Sequence, residues 1–347
     1  MTTSVPVAIV GFGRFGRLHA QALSQAGAFV AAIVDPRPEA VDAAAAAYPD
    51  ARVFQDVGAL VEAAPCKAAV VASSELTHFP ISMELIGAGW DLLIEKPLAE
   101  SAADAQLLVD AAADRGTFLQ AGFILRYEPR HLLLHHSIKD GQLGTLQLLR
   151  AKRDVSRSWF HAYGHTVNPI LETTIHDIDL ALWLFASRPE SVQAWGTYAL
   201  GYDIPESVTM LIGFESGGQA FLTSSWLRTD REVPNILSWE LDEGSDAGGV
   251  IAGDLEILGD RGTARISSYS DAFTLSTDSV TAYPDTSFWP VIGGRVWGAL
   301  AAEATDFVQR LSGRPTLGVA SFEDAVLGQR VAEAGIRSLA SGRPEAV

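Results

Sequence analysis

The sequence is short of basic residues, of cysteine and of long apolar runs. Its 347 residues carry 25 Lys plus Arg against 42 Asp plus Glu, a formal net charge of −17. That balance excludes the basic footprint required by nucleic acid or an anionic membrane surface. It leaves room for a small anionic ligand held by a local positive site. The single cysteine, Cys66, excludes an intrachain disulfide and a cysteine-based zinc site. No stretch approaches the ~20 apolar residues of a membrane span. The segment Met1-Thr2-Thr3-Ser4-Val5-Pro6 lacks the basic and apolar regions of a signal peptide. There is no internal repeat and no low-complexity tract. With 48% hydrophobic residues, the expectation is a soluble, cytoplasmic chain long enough for two domains.

What is present begins with a strand-like run, Val7-Ala8-Ile9-Val10, leading into Gly11-Phe12-Gly13-Arg14-Phe15-Gly16. A helical stretch from Arg17 to Ala26 follows, then a second strand from Phe29 to Val34 closed by Asp35. Strand, glycine loop, helix, strand and acid stand in the order of a dinucleotide-binding βαβ unit. Gly11 allows the tight turn, Gly13 the approach of a pyrophosphate, and Gly16 the seating of helix on strand. The helix N-terminus offers N–H groups and partial positive charge to phosphates. Asp35 suits the ribose hydroxyls and favours NAD, whereas Arg37 keeps NADP as a second candidate.

The alternation continues with helices at 39–48, 57–64, 77–88 and 101–115, and strands at 68–72 and 117–121. It implies a doubly wound parallel α/β sheet over residues 1–123. Between these elements, Trp90-Asp91-Leu92-Leu93-Ile94-Glu95-Lys96-Pro97-Leu98 is an apolar run ending in a carboxylate, an ammonium and a proline. Ligands of parallel sheets bind beyond the carboxyl ends of strands, so Lys96 is delivered to where cofactor and substrate meet. Pro97 biases Lys96 towards an extended backbone. Ser73 and Ser74 end the preceding strand and His78 follows on the next helix. Together with residues 11–16, Asp35, Arg37, Glu95 and Lys96, they are the expected cofactor contacts.

Beyond Gly122 the pattern changes. A helix is expected at 130–139, a long strand at 146–155, and a polar, aromatic loop at 156–167. Strands follow at 192–198, 207–214, 218–227, 236–241, 255–258 and 263–267, and helices at 295–311 and 322–339. Residues 124–347 are therefore read as an α+β domain with a large mixed or antiparallel sheet. Its uncovered face is the expected surface for a homodimer or homotetramer.

Asn168-Pro169 reads as an N-cap with proline at the first helical position. The helix is expected to run from Ile170 to Phe185. Glu172, His176 and Asp179 then share one face beside the apolar stripe Leu171, Ile175, Ile178, Leu182 and Phe185. A half-buried histidine braced by carboxylates for packing alone is the competing explanation. His131, His135 and His136, and the pair His161 and His165, have helical spacing but no accompanying carboxylate motif, so no metal is expected.

Taken together, residues 11–16, Glu95-Lys96-Pro97 and His176-Asp177-Ile178-Asp179 resemble the Gfo/Idh/MocA family of oxidoreductases. His19, Arg126-Tyr127 with Pro129, and Ser338 to Pro344 add to the likeness, which spans the chain. The resemblance implies a Rossmann domain, a mixed-sheet substrate domain, and hydride transfer between nicotinamide and a sugar, polyol or inositol carbon. In that light Lys96 polarises the reacting oxygen. His176, whose unperturbed pKa of ~6.5 lies near working pH, moves the proton, and Glu172 orients it. Arg126, Arg157, Trp159, Tyr163 and His165 are candidate substrate contacts. Glu172 stands where many members have aspartate, and Thr166-Val167-Asn168-Pro169 replaces the usual glycines, which points to a distinct subgroup. The alternatives are a non-catalytic NAD-binding sugar sensor, a glycosidase that uses NAD transiently, and a reductase of non-sugar carbonyls.

Overall fold

The computed structural model describes residues 4–229, 251–267, 273, 275–276, 281–282, 286–318 and 321–347. The strand expected at 236–241 lies outside the described residues. Two compact units are present, residues 1–127 with 292–326, and residues 128–291 with 327–347. The second division falls inside a helix, α10 (Phe322–Ser341).

In the first unit, β1 (Val5–Val10), β2 (Ala28–Val34), β3 (Arg52–Phe54), β4 (Ala68–Val71), β5 (Asp91–Glu95) and β6 (Leu119–Gly122) form one parallel sheet of order β3-β2-β1-β4-β5-β6. That order is the doubly wound dinucleotide fold. Its middle strands are apolar on both faces because helices cover both sides; Val7 to Ile9, Ala69 to Val71 and Leu92 to Ile94 are fully buried. The connecting helices are α1 (Arg14–Gln25), α2 (Pro38–Ala47), α3 (Val57–Ala63), α4 (Glu75–Gly87) and α5 (Ala102–Arg115). The Ser101 hydroxyl accepts the Asp104 N–H and donates to its carboxylate, capping α5. The three-residue strand β3 has too little apolar patterning to be recognised in the sequence.

Helix α9 (Gly298–Leu311) belongs to this unit, although β6 ends at Gly122, far upstream in the chain. It packs on α1 and on the 3₁₀ turn Ile124–Tyr127. Phe307 meets Phe118 edge to face, with ring centroids 5.7 Å apart.

The second unit is built on a seven-stranded sheet. Its strands are β7 (Leu146–Ser156), β8 (Pro189–Thr197), β9 (Ser207–Phe214), β10 (Gln219–Arg228), β11 (Ile251–Gly259), β12 (Thr263–Ser267) and the terminal pair Glu345–Ala346, in the order β12-β11-β7-β10-β9-β8-terminal strand. Only β7 and β10 run parallel, so the sheet is mixed. The hairpins β9–β10 and β11–β12 turn at Gly217-Gly218 and at Gly259 to Gly262. Helix α6 (Pro129–Lys139) precedes the sheet, and α8 (Ile175–Phe185) packs over β7 and β10. On β9, Val208, Met210, Ile212 and Phe214 point into the core, while alternate residues face out. The other face carries Trp195 and Phe221, 50% and 40% exposed. The Ser338 hydroxyl in α10 accepts the Ala194 N–H and donates to the Arg343 carbonyl, which fixes the C-terminal segment against β8.

Two expectations are corrected. Residues 156–167 are not a loop: β7 continues to Ser156, α7 (Arg157–Ala162) follows, and a 3₁₀ turn covers Gly164–Thr166. The helix expected from Ile170 is a π-helical turn over Ile170–Thr174 before the α-helix begins at Ile175. The Asn168 side chain accepts the Ile170 N–H as predicted. A π turn closes over five residues rather than four. Glu172 and His176 therefore stand in a register that differs from that of a regular α-helix.

Candidate functional site

Strand β1 delivers Gly11 into a positive-φ turn (φ 91°), where its N–H donates to the Val34 carbonyl at 2.8 Å. A Cβ at Gly11 would lie 2.6 Å from Ala72 O and Ser73 N, so β1 and β4 close on this glycine. A Cβ at Gly16 would lie 1.9 Å from the Gly11 carbonyl oxygen, which is how α1 sits down on the turn. At Gly13, a Cβ would meet only Arg37 Nη2, at 3.8 Å. Gly13 is the N-cap of α1; no side chain caps this terminus and no acidic residue stands in its first turn. The terminus is therefore a ready anion site. Arg14 is exposed and Phe15 half-buried. The Phe15 ring meets His19 edge on, and Phe12 is buried beside Tyr48.

Asp35 ends β2 and is buried. Its Oδ2 accepts the Phe12 N–H and Arg37 Nη2, both at 2.8 Å, and its Oδ1 accepts the Arg37 N–H and Nε at 3.0 and 2.9 Å. Burial pushes this carboxyl upward, but the hydrogen bonds from Arg37 and Phe12 outweigh it and hold the pKa below the usual range. Asp35 thus also fixes the glycine loop, and Arg37 lies over the carboxylate with about half its side chain in solvent.

At the end of β4, the Ser73 hydroxyl accepts from Thr77 Oγ1 at 2.8 Å, and the Ser74 hydroxyl lies 3.4 Å from the same oxygen. Both ring nitrogens of His78 meet backbone carbonyls, those of Pro97 at 2.7 Å and Ser73 at 3.1 Å. His78 therefore braces the ends of β4 and β5 against each other. The Lys96–Pro97 peptide bond is cis. Glu95 is buried beneath Lys96: its Oε2 accepts the Lys96 N–H at 3.2 Å and its Oε1 accepts from His19 Nε2 at 2.7 Å. Glu303 of α9 completes this buried group, with one ligand atom from each residue within 4.8 Å of the others. Sequence reasoning missed Glu303, because a single glutamate in a helical pattern carries no sign of a distant partner.

Arg126 is buried, and its Nη1 donates to Asp324 at 2.8 Å. This pairing gives the side chain a place in the first unit's packing.

In the second unit, His176 and Glu172 are half-buried and Asp179 is buried. The neighbouring Asp177, not singled out from the sequence, is gripped by Arg153 of β7 through Nε–H···Oδ2 at 3.0 Å and Nη2–H···Oδ1 at 2.8 Å. A bidentate, largely buried pair of this kind fixes orientation as well as position.

The 157–166 segment is anchored by an apolar cluster of Val155, Phe160 and Trp226, with Trp159 packed against it. A Cβ at Gly164 would stand 2.7 Å from the Trp226 ring, so only glycine fits. Tyr163 meets Trp226 edge on at 5.4 Å. His165 lies against Tyr202, with its Nδ1 3.0 Å from the Phe160 carbonyl. The exposed Arg157 donates to the Leu227 carbonyl. His135 stacks on Trp183 at 4.1 Å, and His131 lies 3.0 Å from Glu128, so these histidines are engaged in packing and capping.

No helix among the described residues is long and apolar enough to cross a membrane. An inositol 2-dehydrogenase of Rubrobacter xylanophilus is 28% identical to this chain, over 99% of this chain and 93% of that protein. Another, of Acidothermus cellulolyticus, is 32% identical over 55% of this chain and 56% of its own length. The scyllo-inositol dehydrogenase of Lactobacillus casei, solved with NAD(H) and scyllo-inositol, has the same fold, with a TM-score of 0.80 at 19% identity and 99% of each chain covered. The model of an oxidoreductase family with an NAD-binding Rossmann fold matches residues 5–123, and the Gfo/Idh/MocA C-terminal domain matches residues 131–265. Both domain models match in order along the chain, and the chain belongs to the Gfo/Idh/MocA family of oxidoreductases.

Proposed function

We propose that this NAD-dependent oxidoreductase is a dehydrogenase of the inositol type, acting on a secondary hydroxyl of an inositol, sugar or related polyol. The observation that carries the reading is Lys96, presented just beyond the carboxyl end of β5 with its backbone held by buried Glu95. The glycine loop fits a dinucleotide. Gly13 leaves approach room, the α1 terminus is uncapped by side chains, and Asp35 lies at the end of β2. NAD, when bound, supplies the hydride acceptor.

The chain's own work is to handle the proton and the oxygen. Oxidation takes a hydride from carbon and a proton from the hydroxyl. His176 takes that proton, and returns it in the reverse direction. Lys96 donates a hydrogen bond to the reacting oxygen and favours the negative charge that develops there. Glu172 orients His176 or binds a neighbouring hydroxyl. Arg157, Trp159, Tyr163 and His165 supply donors and aromatic faces suited to a polyol. In this reading residues 1–123 bind the dinucleotide. Residues 124–347 carry substrate recognition and assembly into dimers or tetramers through the open sheet face, in a cytoplasmic setting.

The test is NADH formation across a panel of inositols and sugars, with NAD and NADP compared. Lys96→Met and His176→Ala should each lower kcat by ~10²-fold or more, and His176→Ala should keep NADH affinity. Near-normal turnover in either folded variant would remove the role assigned to it. Tight NAD binding with no turnover across the panel would favour a sensor.

A further inference from the structure

His19, Glu95 and Glu303 form a buried group in which His19 and Glu303 are sealed from solvent, and its charges do not cancel. Glu303 is 0% exposed, and neither carboxyl oxygen has a hydrogen-bond partner. His19 is equally buried. Its Nε2 contacts Glu95 Oε1, and its Nδ1 has no partner. Glu95 is occupied entirely as an acceptor, from His19 and from the Lys96 N–H. The imidazole is engaged with the Glu95 carboxylate, so any charge on the ring is already matched there. No positive charge is therefore left over for Glu303.

The other groups facing α9 deepen the imbalance. Asp306, one turn along, accepts the Tyr127 hydroxyl at 3.0 Å and the Leu317 N–H. Tyr127 also accepts from Gln120. The nearby guanidinium, Arg126, is paired with Asp324. An ionised Glu303 would be a buried anion beside two other carboxylates, at a cost no contact here offsets. A metal ion could restore the balance, since one imidazole and two carboxylates are a ligand set. The geometry argues against it. His19 Nε2 and Glu95 Oε1 are 2.7 Å apart, a direct hydrogen-bond length. Adjacent ligands of one octahedral ion, each about 2.1 Å from it, stand about 3 Å apart.

We infer that Glu303 is held as a neutral carboxylic acid, and that it acts as a positioning residue for Glu95 and, through Glu95, for Lys96. Burial, with Glu95 and Asp306 adding to it, pushes the Glu303 carboxyl well above its ordinary range. The neutral acid lets the Glu95 carboxylate keep both of its contacts. Ionisation would set an anion against Glu95 and displace the backbone it holds. The bearing on Lys96 rests on the dehydrogenase reading above, whereas the protonation state of Glu303 does not.

The test compares the full-length wild-type protein with Glu303→Gln, whose amide mimics the neutral acid. A raised folded-state pKa means that the folded chain keeps a proton the unfolded chain releases. Wild-type stability therefore falls as pH rises above the ordinary Glu value of about 4.5. The unfolding equilibrium constant of the wild type should rise about tenfold per pH unit relative to the variant, until Glu303 itself titrates. The variant should be at least as stable as the wild type at neutral pH. Carbon-13 NMR of glutamate-labelled wild type, which needs no variant, should show one carboxyl carbon at the neutral-acid position through neutral pH. The alkaline limb of kcat should move to higher pH in Glu303→Gln. A destabilised variant, carboxyl carbons that are all ionised, or a stoichiometric divalent metal lost on substitution would overturn the neutral acid. Identical alkaline limbs would overturn the link to Lys96. If no substrate turns over, the stability and NMR measurements still decide the protonation state.

Discussion

Arg153 holds Asp177 through two parallel hydrogen bonds, and Asp177 is the immediate neighbour of His176 on α8. The pair ties the first turn of that helix to β7, just where a π turn has relaxed the backbone before it. The turn of backbone that carries His176 is therefore tied down by a guanidinium supplied by another element.

Removing one partner leaves the other charge buried and alone, which typically costs about 3–5 kcal/mol. Arg153→Ala and Asp177→Asn should each lower the urea midpoint by a corresponding amount. Both should also reduce kcat more than they raise the KM for NAD. Arg153→Lys should restore only part of this, because an ammonium cannot reproduce the two-pronged geometry. Wild-type kcat in folded Arg153→Ala would show that His176 does not depend on the pair.

Asp35 and Arg37 set a second expectation. Asp35 holds the Phe12 N–H as well as Arg37, so Asp35→Ser should loosen the glycine loop and weaken NAD binding by about tenfold or more, equivalent to about 1.4 kcal/mol. The same change frees the guanidinium for a 2′-phosphate and should shift preference towards NADP. Arg37→Ala should reduce any NADP binding while leaving NAD binding largely intact. Calorimetric titration of both cofactors against both variants measures this directly.

Glu128 caps α6, accepting the Arg130 and His131 N–H groups at 3.0 Å, and its carboxylate also takes Arg130 Nε at 2.6 Å. Burial works to raise this carboxyl, but contacts from His131 and Arg130 prevail and bring it down to about 2. A depressed value contributes stability above the unfolded pKa of about 4.5, which is lost as pH falls towards 2. Acid unfolding followed by circular dichroism should therefore be shallower between these values in Glu128→Gln. At neutral pH that variant should be less stable by at most about 3 kcal/mol.

Trp195 and Phe221 stand half-exposed on the open face of the mixed sheet, Phe221 opposite Leu211 and Arg150 in the register. Phe221→Lys combined with Trp195→Lys should produce a smaller species in sedimentation velocity while far-UV circular dichroism is unchanged. A wild-type protein that sediments as a single subunit would remove this face as an assembly surface.

The glycine loop, the Asp35 strand end, the Lys96 turn and most of the parallel sheet are legible in the sequence because each is a local pattern. A strand, a tight turn and a helix start announce themselves within a dozen residues. The Asn168 cap is legible for the same reason. The π turn is not, because its five-residue closure leaves the apolar spacing nearly unchanged. The 157–162 helix is masked by its aromatic content; those rings serve the Phe160 and Trp226 core. Glu303 and Asp177 read as ordinary helix residues, since the groups they face, Glu95 and Arg153, lie on strands elsewhere in the chain.

The first unit is not a continuous stretch of chain. Its α1 and Ile124–Tyr127 surfaces are covered by α9, which is encoded well downstream. During synthesis the nucleotide-binding half therefore emerges early with His19, Tyr127 and Phe118 unpacked, and it waits for residues 292–326 before its core can close. A fragment ending at residue 127 should be prone to aggregate. Splicing 292–326 onto that fragment through a short linker is the way to express this half alone.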